Sequence, residues 1–208
     1  MNEPGRADLD PANDGVVAPP ELIPECETLL AAHGAEFSPA SLPLRRSRAG
    51  RECGTPQAVA FRGVRGGARY SPTPVLSCGM ALALARFEPK LQSAATTTLG
   101  GRVVRVRHIG TYNCRDMARF DLVSEHSYAN AIDVSEIVLE NGRTVSVQRH
   151  FGRPSAEPRG AEGRFLRELA QRAFDDADFS CVITEFFDPL HRDHIHLDLA
   201  RYRVDGTR

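Results

Sequence analysis

Tryptophan is absent from the 208 residues, and lysine occurs once, at Lys90. Without tryptophan, an aromatic platform for stacking sugars is disfavoured. The other 25 of the 26 basic residues are arginine, a bias so uniform that it reflects the coding genome more than a functional demand, although the two side chains are not equivalent at bidentate sites. No excess charge of one sign exists. The formal net charge is −1, which leaves no electrostatic footprint for nucleic acid or an anionic membrane. No apolar run is long enough to span a bilayer, and no internal repeat occurs. Residues 1–20 lack the apolar stretch of a secretory signal. Their Pro, Asp, Asn and Gly content predicts a disordered tail. Five cysteines, Cys26, Cys53, Cys78, Cys114 and Cys181, preclude complete intramolecular pairing. In an exported protein, one or two disulfides would tie the N-terminal segments to the sheet.

What is present suits one globular domain over residues 21–204, with 41% hydrophobic and 25% charged residues. Glu21 to Ala35 has helical spacing. Ser38 to Tyr70, rich in Arg, Gly and Pro, reads as irregular, with Arg45-Arg46-Ser47-Arg48 as a solvated loop. Thr73-Pro74 predicts the start of a buried helix that Pro89 ends or kinks. Gly101 to Ile109 alternates as a strand. Asn141-Gly142 between two apolar runs predicts a hairpin. Arg153 to Gly163 is a Pro/Gly loop suited to a rim or lid of the cleft. Glu162 to Asp176 is an amphipathic helix, and Val182 to Phe187 a strand. The fold class expected is α+β, a small antiparallel sheet with flanking helices.

Two stretches carry the chemistry. Ser124 to Asp133 contains His126 and Asp133, and His191 to Asp198 contains His191, Asp193, His194 and His196. Together they hold four of the seven histidines. Seven residues of continuous helix rise about 10 Å, and an odd spacing on a strand points two side chains to opposite faces. His126 and Asp133 can therefore share an ion only if the chain turns between them. Ser127 to Asn130 is polar and small enough to turn, with a strand starting at Ala131. His194 and His196 alternate with Ile195 and Leu197, so a strand puts both imidazoles on one face. Taken singly, each pattern is more often a satisfied polar group than a ligand set. Jointly, they point to zinc held by His126, Asp133 and His196, with one position left for water.

Ser124-x-His126-x-x-Ala129-x-Ala131-x-Asp133 resembles the signature of the zinc D-Ala-D-Ala peptidases, with Ala129 in place of the usual Gly. His191-x-x-His194-x-His196 is similar to the pattern in penicillin-insensitive murein endopeptidases. Gly110 to Arg115, Ser124 to Val134 and His194 to Asp198 look like the bacterial extensin-like C-terminal domain, over about residues 21–202. The resemblance implies a hedgehog / D-Ala-D-Ala peptidase-like zinc fold and a zinc metallopeptidase acting on peptidoglycan stem peptides, as endopeptidase or carboxypeptidase. His194 or Asp193 would be the general base, His191 would assist, and Arg115 would hold substrate charge. Strand alternation favours His194 over Asp193. The alternative is a non-catalytic, zinc-containing cell-wall-binding module. A monomer in the periplasm or outside the cell is expected, with a cytoplasmic setting left open by the missing signal.

Overall fold

A ten-stranded mixed sheet runs through the protein in the order β1-β4-β5-β7-β8-β11-β10-β12, with β6 beside β4 and β9 beside β8. Its strands are β1 (Ala35–Ala40), β4 (Ala58–Val64), β5 (Arg69–Ser71), β6 (Val75–Ser77), β7 (Val103–Gly110), β8 (Ala131–Leu139), β9 (Thr144–Ser146), β10 (Cys181–Ile183), β11 (Ile195–Asp198) and β12 (Val204–Gly206). A separate hairpin joins β2 (Arg45–Arg46) to β3 (Glu52–Cys53). The helices are α1 (Cys26–Ala32), α2 (Cys78–Leu99), α3 (Val147–His150) and α4 (Gly160–Asp175). This computed structural model describes residues 19–117, 120 and 122–208. All but the end of the expected disordered tail therefore lies outside the described residues.

The sheet is large and mixed where a small antiparallel one was expected. β5 pairs with β7, and β10 with β12, in parallel. The difference arises mainly in residues 38–70, expected to be irregular. There β4 buries Val59 and Phe61 on alternate positions, a period-2 pattern hidden among Arg and Gly. β1 tolerates Pro39 because it is an edge strand, where a missing N–H breaks no ladder.

Helices α2 and α4 pack on each other, α2 against β4, β6 and β7, and α4 against β10. Ile137 and Leu139 on β8, and Ile195 and Leu197 on β11, join their core, with Phe61, Phe151, Phe165 and Phe179 almost fully buried. Burying a Phe side chain is worth about 1.5–3 kcal/mol. α2 begins later than Thr73-Pro74 suggests, because β6 intervenes. Ser77 is its N-cap, its hydroxyl accepting from the Met80 N–H at 3.1 Å. Nor does Pro89 end the helix, which runs on for ten residues to Leu99. An interior proline costs about 3 kcal/mol. Burial of Phe87, Leu91, Ala94 and Ala95 on either side offsets it.

Buried Glu88 ties α2 to the chain before β5. Its Oε1 accepts from the Ala68 N–H and from Gln92 Nε2, both at 2.8 Å, while Oε2 has no partner among the described residues. Burial pushes its pKa above the ordinary 4.5. The folded state thus binds the proton more tightly than the unfolded one, so this group loses stability as pH rises above 4.5. Glu88→Gln keeps the acceptor and removes the charge. Its melting temperature is expected to exceed the wild type's by about 2–4 °C at pH 8, roughly 1 kcal/mol for this size, with the two converging in acid. A gap that widens on acidification would contradict this.

Disulfides join Cys26 to Cys78, linking α1 and α2, and Cys53 to Cys114, linking β3 to the segment after β7. Each is worth about 2–4 kcal/mol. Cys181 is free and buried. Two disulfides point to a compartment outside the reducing cytoplasm. Among the described residues, no helix is long and apolar enough to cross a membrane.

Candidate metal centre

β8 and β11 run antiparallel with His196 directly opposite Asp133. Because side chains alternate, Ile195 and Leu197 face the helices while His196 and Asp133 face the other side of the sheet. The pair meets there, His196 Nδ1 standing 3.0 Å from Asp133 Oδ1.

His126 arrives from the turn that the spacing demanded. Glu125–Tyr128 forms one turn of 3-10 helix, closed by Ala129 at φ 53°. That left-handed backbone favours glycine, and alanine adopts it at a cost of about 1–2 kcal/mol. Asn130 secures the turn. Its Nδ2 donates to Glu125 Oε2 and the Leu199 carbonyl, and its Oδ1 accepts from the Ser77 hydroxyl. His126 Nε2 then lies 3.2 Å from both Asp133 Oδ1 and His196 Nδ1. His126, Asp133 and His196 form the metal-competent group among the described residues.

The far nitrogens of both imidazoles are occupied. His126 Nδ1–H donates to the Thr111 carbonyl at 2.5 Å, and His196 Nε2–H to Asp198 Oδ2 at 2.8 Å. A carbonyl or carboxylate can only accept, so these bonds leave the lone pairs of Nε2 and Nδ1 turned inward. Two lone pairs and a carboxylate within 3.2 Å of one another repel unless a cation or proton lies among them. Burial works against a charge on His196, but hydrogen bonds to Asp133 and Asp198 outweigh it and raise its pKa to about 10. Burial likewise works against ionised Asp133, yet the facing His126 and His196 imidazoles, when a proton lies between them and the carboxylate, hold its carboxyl well below the usual range. The cluster demands positive charge. Its donors are those zinc takes, and acceptors behind each histidine are the usual outer partners of a metal site. The residues fit the ion.

A cavity of about 250 Å³ opens over Asp133 and His196, lined also by Arg115, Glu125, His191 and His194, with an apolar wall that includes Phe120, Phe187 and Tyr202. His194 Nε2 lies 3.7 Å from Asp133 Oδ1, and its Nδ1–H donates to Asp193 at 2.8 Å. Asp193 itself is half exposed and is not among the lining residues. Of the two adjacent candidates for the base, only His194 presents a free nitrogen to the cavity. His191 stands beside it, ring centroids 5.0 Å apart, its Nδ1–H held by Asp188 at 2.8 Å. Burial lowers the His191 pKa. Arg115 is exposed at the rim and makes no ion pair with another described residue. Tyr112 points away, donating to the Pro43 carbonyl. Residues 153–163 do not line the cavity, so this loop is no rim to it.

Sequence reasoning gave no role to Asp198, Asp188 or Thr111. The first two sit two after and three before a motif histidine, a spacing that is legible. Thr111 acts through its carbonyl, which no side-chain pattern reveals. Glu125 is buried beside Asp198; burial first, and that carboxylate second, push it up to about 7.

The protein is a mixed α/β structure whose large mixed sheet carries a His/Asp cluster. The sequence profile of the family Extensin-like protein C-terminus matches residues 24–207, and the chain belongs to that family. No curated protein and no solved structure is found to match it.

Proposed function

We propose that this protein is a zinc-dependent peptidase of the periplasm or cell exterior, hydrolysing amide bonds in peptidoglycan stem peptides or cross-links. The observation that carries the proposal is the convergence of His126, Asp133 and His196, each imidazole backed by an acceptor, beside a cavity that Asp133 and His196 line together with His194 and Arg115. Zinc, when bound there, supplies a Lewis acid that polarises a carbonyl and promotes ionisation of water. His194, steadied by Asp193, takes a proton from the attacking water on Nε2 and returns it to the departing amine. His191, fixed by Asp188, lies beside that imidazole. Arg115 receives negative charge, either a terminal carboxylate held through paired N–H bonds or the oxygen that becomes anionic as the amide is attacked. Three donors rather than four meet among the described residues, which supports an open, catalytic site over a closed structural one.

Incubation with purified sacculi, with and without a chelator, tests this. Soluble muropeptides are expected only without chelator. Binding to sacculi with no release would favour the non-catalytic wall-binding module instead.

A further inference from the structure

The strand that backs the donor cluster, β7, is irregular where it passes Asp133. Arg107 pairs with Glu136 but His108 with Val134, which leaves Ser135 over on β8. His108 then pairs with Val134 but Gly110 with Asp133, which leaves Ile109 over on β7. The second bulge turns Ile109 out to 59% exposure and sets Gly110 opposite the carboxylate. Bulges commonly re-aim a side chain beside a site.

A Cβ at Gly110 would lie 2.7 Å from Asp133 Oδ2, closer than carbon and oxygen can approach, and its other near neighbours are also atoms of the Asp133 side chain. The backbone of Gly110 is not in the left-handed region that favours glycine. Conformation would therefore admit alanine. What excludes it is the space that the carboxylate fills. The next residue, Thr111, supplies the carbonyl that holds His126. One dipeptide thus sets two of the three donors, Asp133 by leaving room and His126 by a hydrogen bond.

We propose that Gly110 is a positioning residue for the metal centre, its missing side chain being what allows Asp133 to face His126 and His196. This rests on the metal-binding reading above. Asp133 Oδ2 ends a short but mobile side chain, so alanine at position 110 would displace the ligand more than it would disturb the sheet.

The test is zinc affinity by chelator competition, with melting of the metal-free protein alongside, for wild type, Gly110→Ala, Asp133→Ala and the double variant. Gly110→Ala is expected to weaken zinc binding by about 10–100-fold, as for other losses of support to a ligand, and to lower the metal-free melting temperature by about 4 °C or less. On the Asp133→Ala background, the same change is expected to alter affinity by less than about twofold, because two substitutions acting on one contact do not add. If Gly110→Ala alone fails to fold while the double variant folds, the collision with Asp133 is shown directly. Wild-type affinity in Gly110→Ala, equal losses in both backgrounds, or misfolding in both would overturn the assignment. A wild type that takes up no zinc overturns the metal reading itself and this one with it. A wild type that binds beside a Gly110→Ala that binds equally overturns only the role of Gly110.

Discussion

His194→Ala is expected to lower the turnover of muropeptides by about 10²–10⁴-fold, the range for a positioned general acid–base, while zinc content stays at the wild-type level. Two features separate this residue from the ligands. Its Nε2 is 3.7 Å from Asp133 Oδ1, outside the tight group of His126, Asp133 and His196. Its Nδ1 is committed to Asp193, which selects the tautomer with a free lone pair on Nε2. Asp193→Asn should cost far less, because that carboxylate is half exposed and water can replace it. Unchanged turnover in His194→Ala would move proton transfer to another group. Loss of zinc would make His194 a fourth ligand, and the closed, non-catalytic module would then be the better account.

His126→Ala is expected to weaken zinc binding by more than about 100-fold, beyond what losing an outer partner of a ligand costs. The imidazole is 2% exposed, so its removal also leaves the Thr111 carbonyl without its donor and Asp133 without one of its two histidines. Some loss of stability follows, about 1–3 kcal/mol for a buried group left unpaired. Asp133→Ala at the same site gives a second measure of ligand loss that leaves Thr111 untouched. Circular dichroism of both metal-free variants separates loss of a ligand from loss of the fold.

Much of this was legible in the residues, for reasons that can be named. Alternation placed His196 on a strand, β11, although His194 lies just before that strand begins, and His126 to Asp133 required a turn, which the 3-10 helix and Ala129 provide. Asn141-Gly142 marked the β8–β9 hairpin, and the α+β class followed from the element types. What escaped was non-local. The burial of the strands between residues 35 and 71 depends on partners elsewhere along the chain, so a region rich in Arg and Gly reads as loop. The sheet's size followed from that omission. Packing carried α2 through Pro89, which a local rule treats as a stop. At the site, the contribution of Gly110 is a space and that of Thr111 a carbonyl. Neither has a side-chain signature, and both show only once β7 is set against β8.

The most direct measurement is the zinc content of the wild-type chain and of His126→Ala after dialysis against the free ion, read by elemental analysis. One equivalent in the wild type and none in the variant is the predicted result. A wild type without bound zinc, or a variant that keeps its full equivalent, would contradict the assignment of His126, Asp133 and His196 as the ligands.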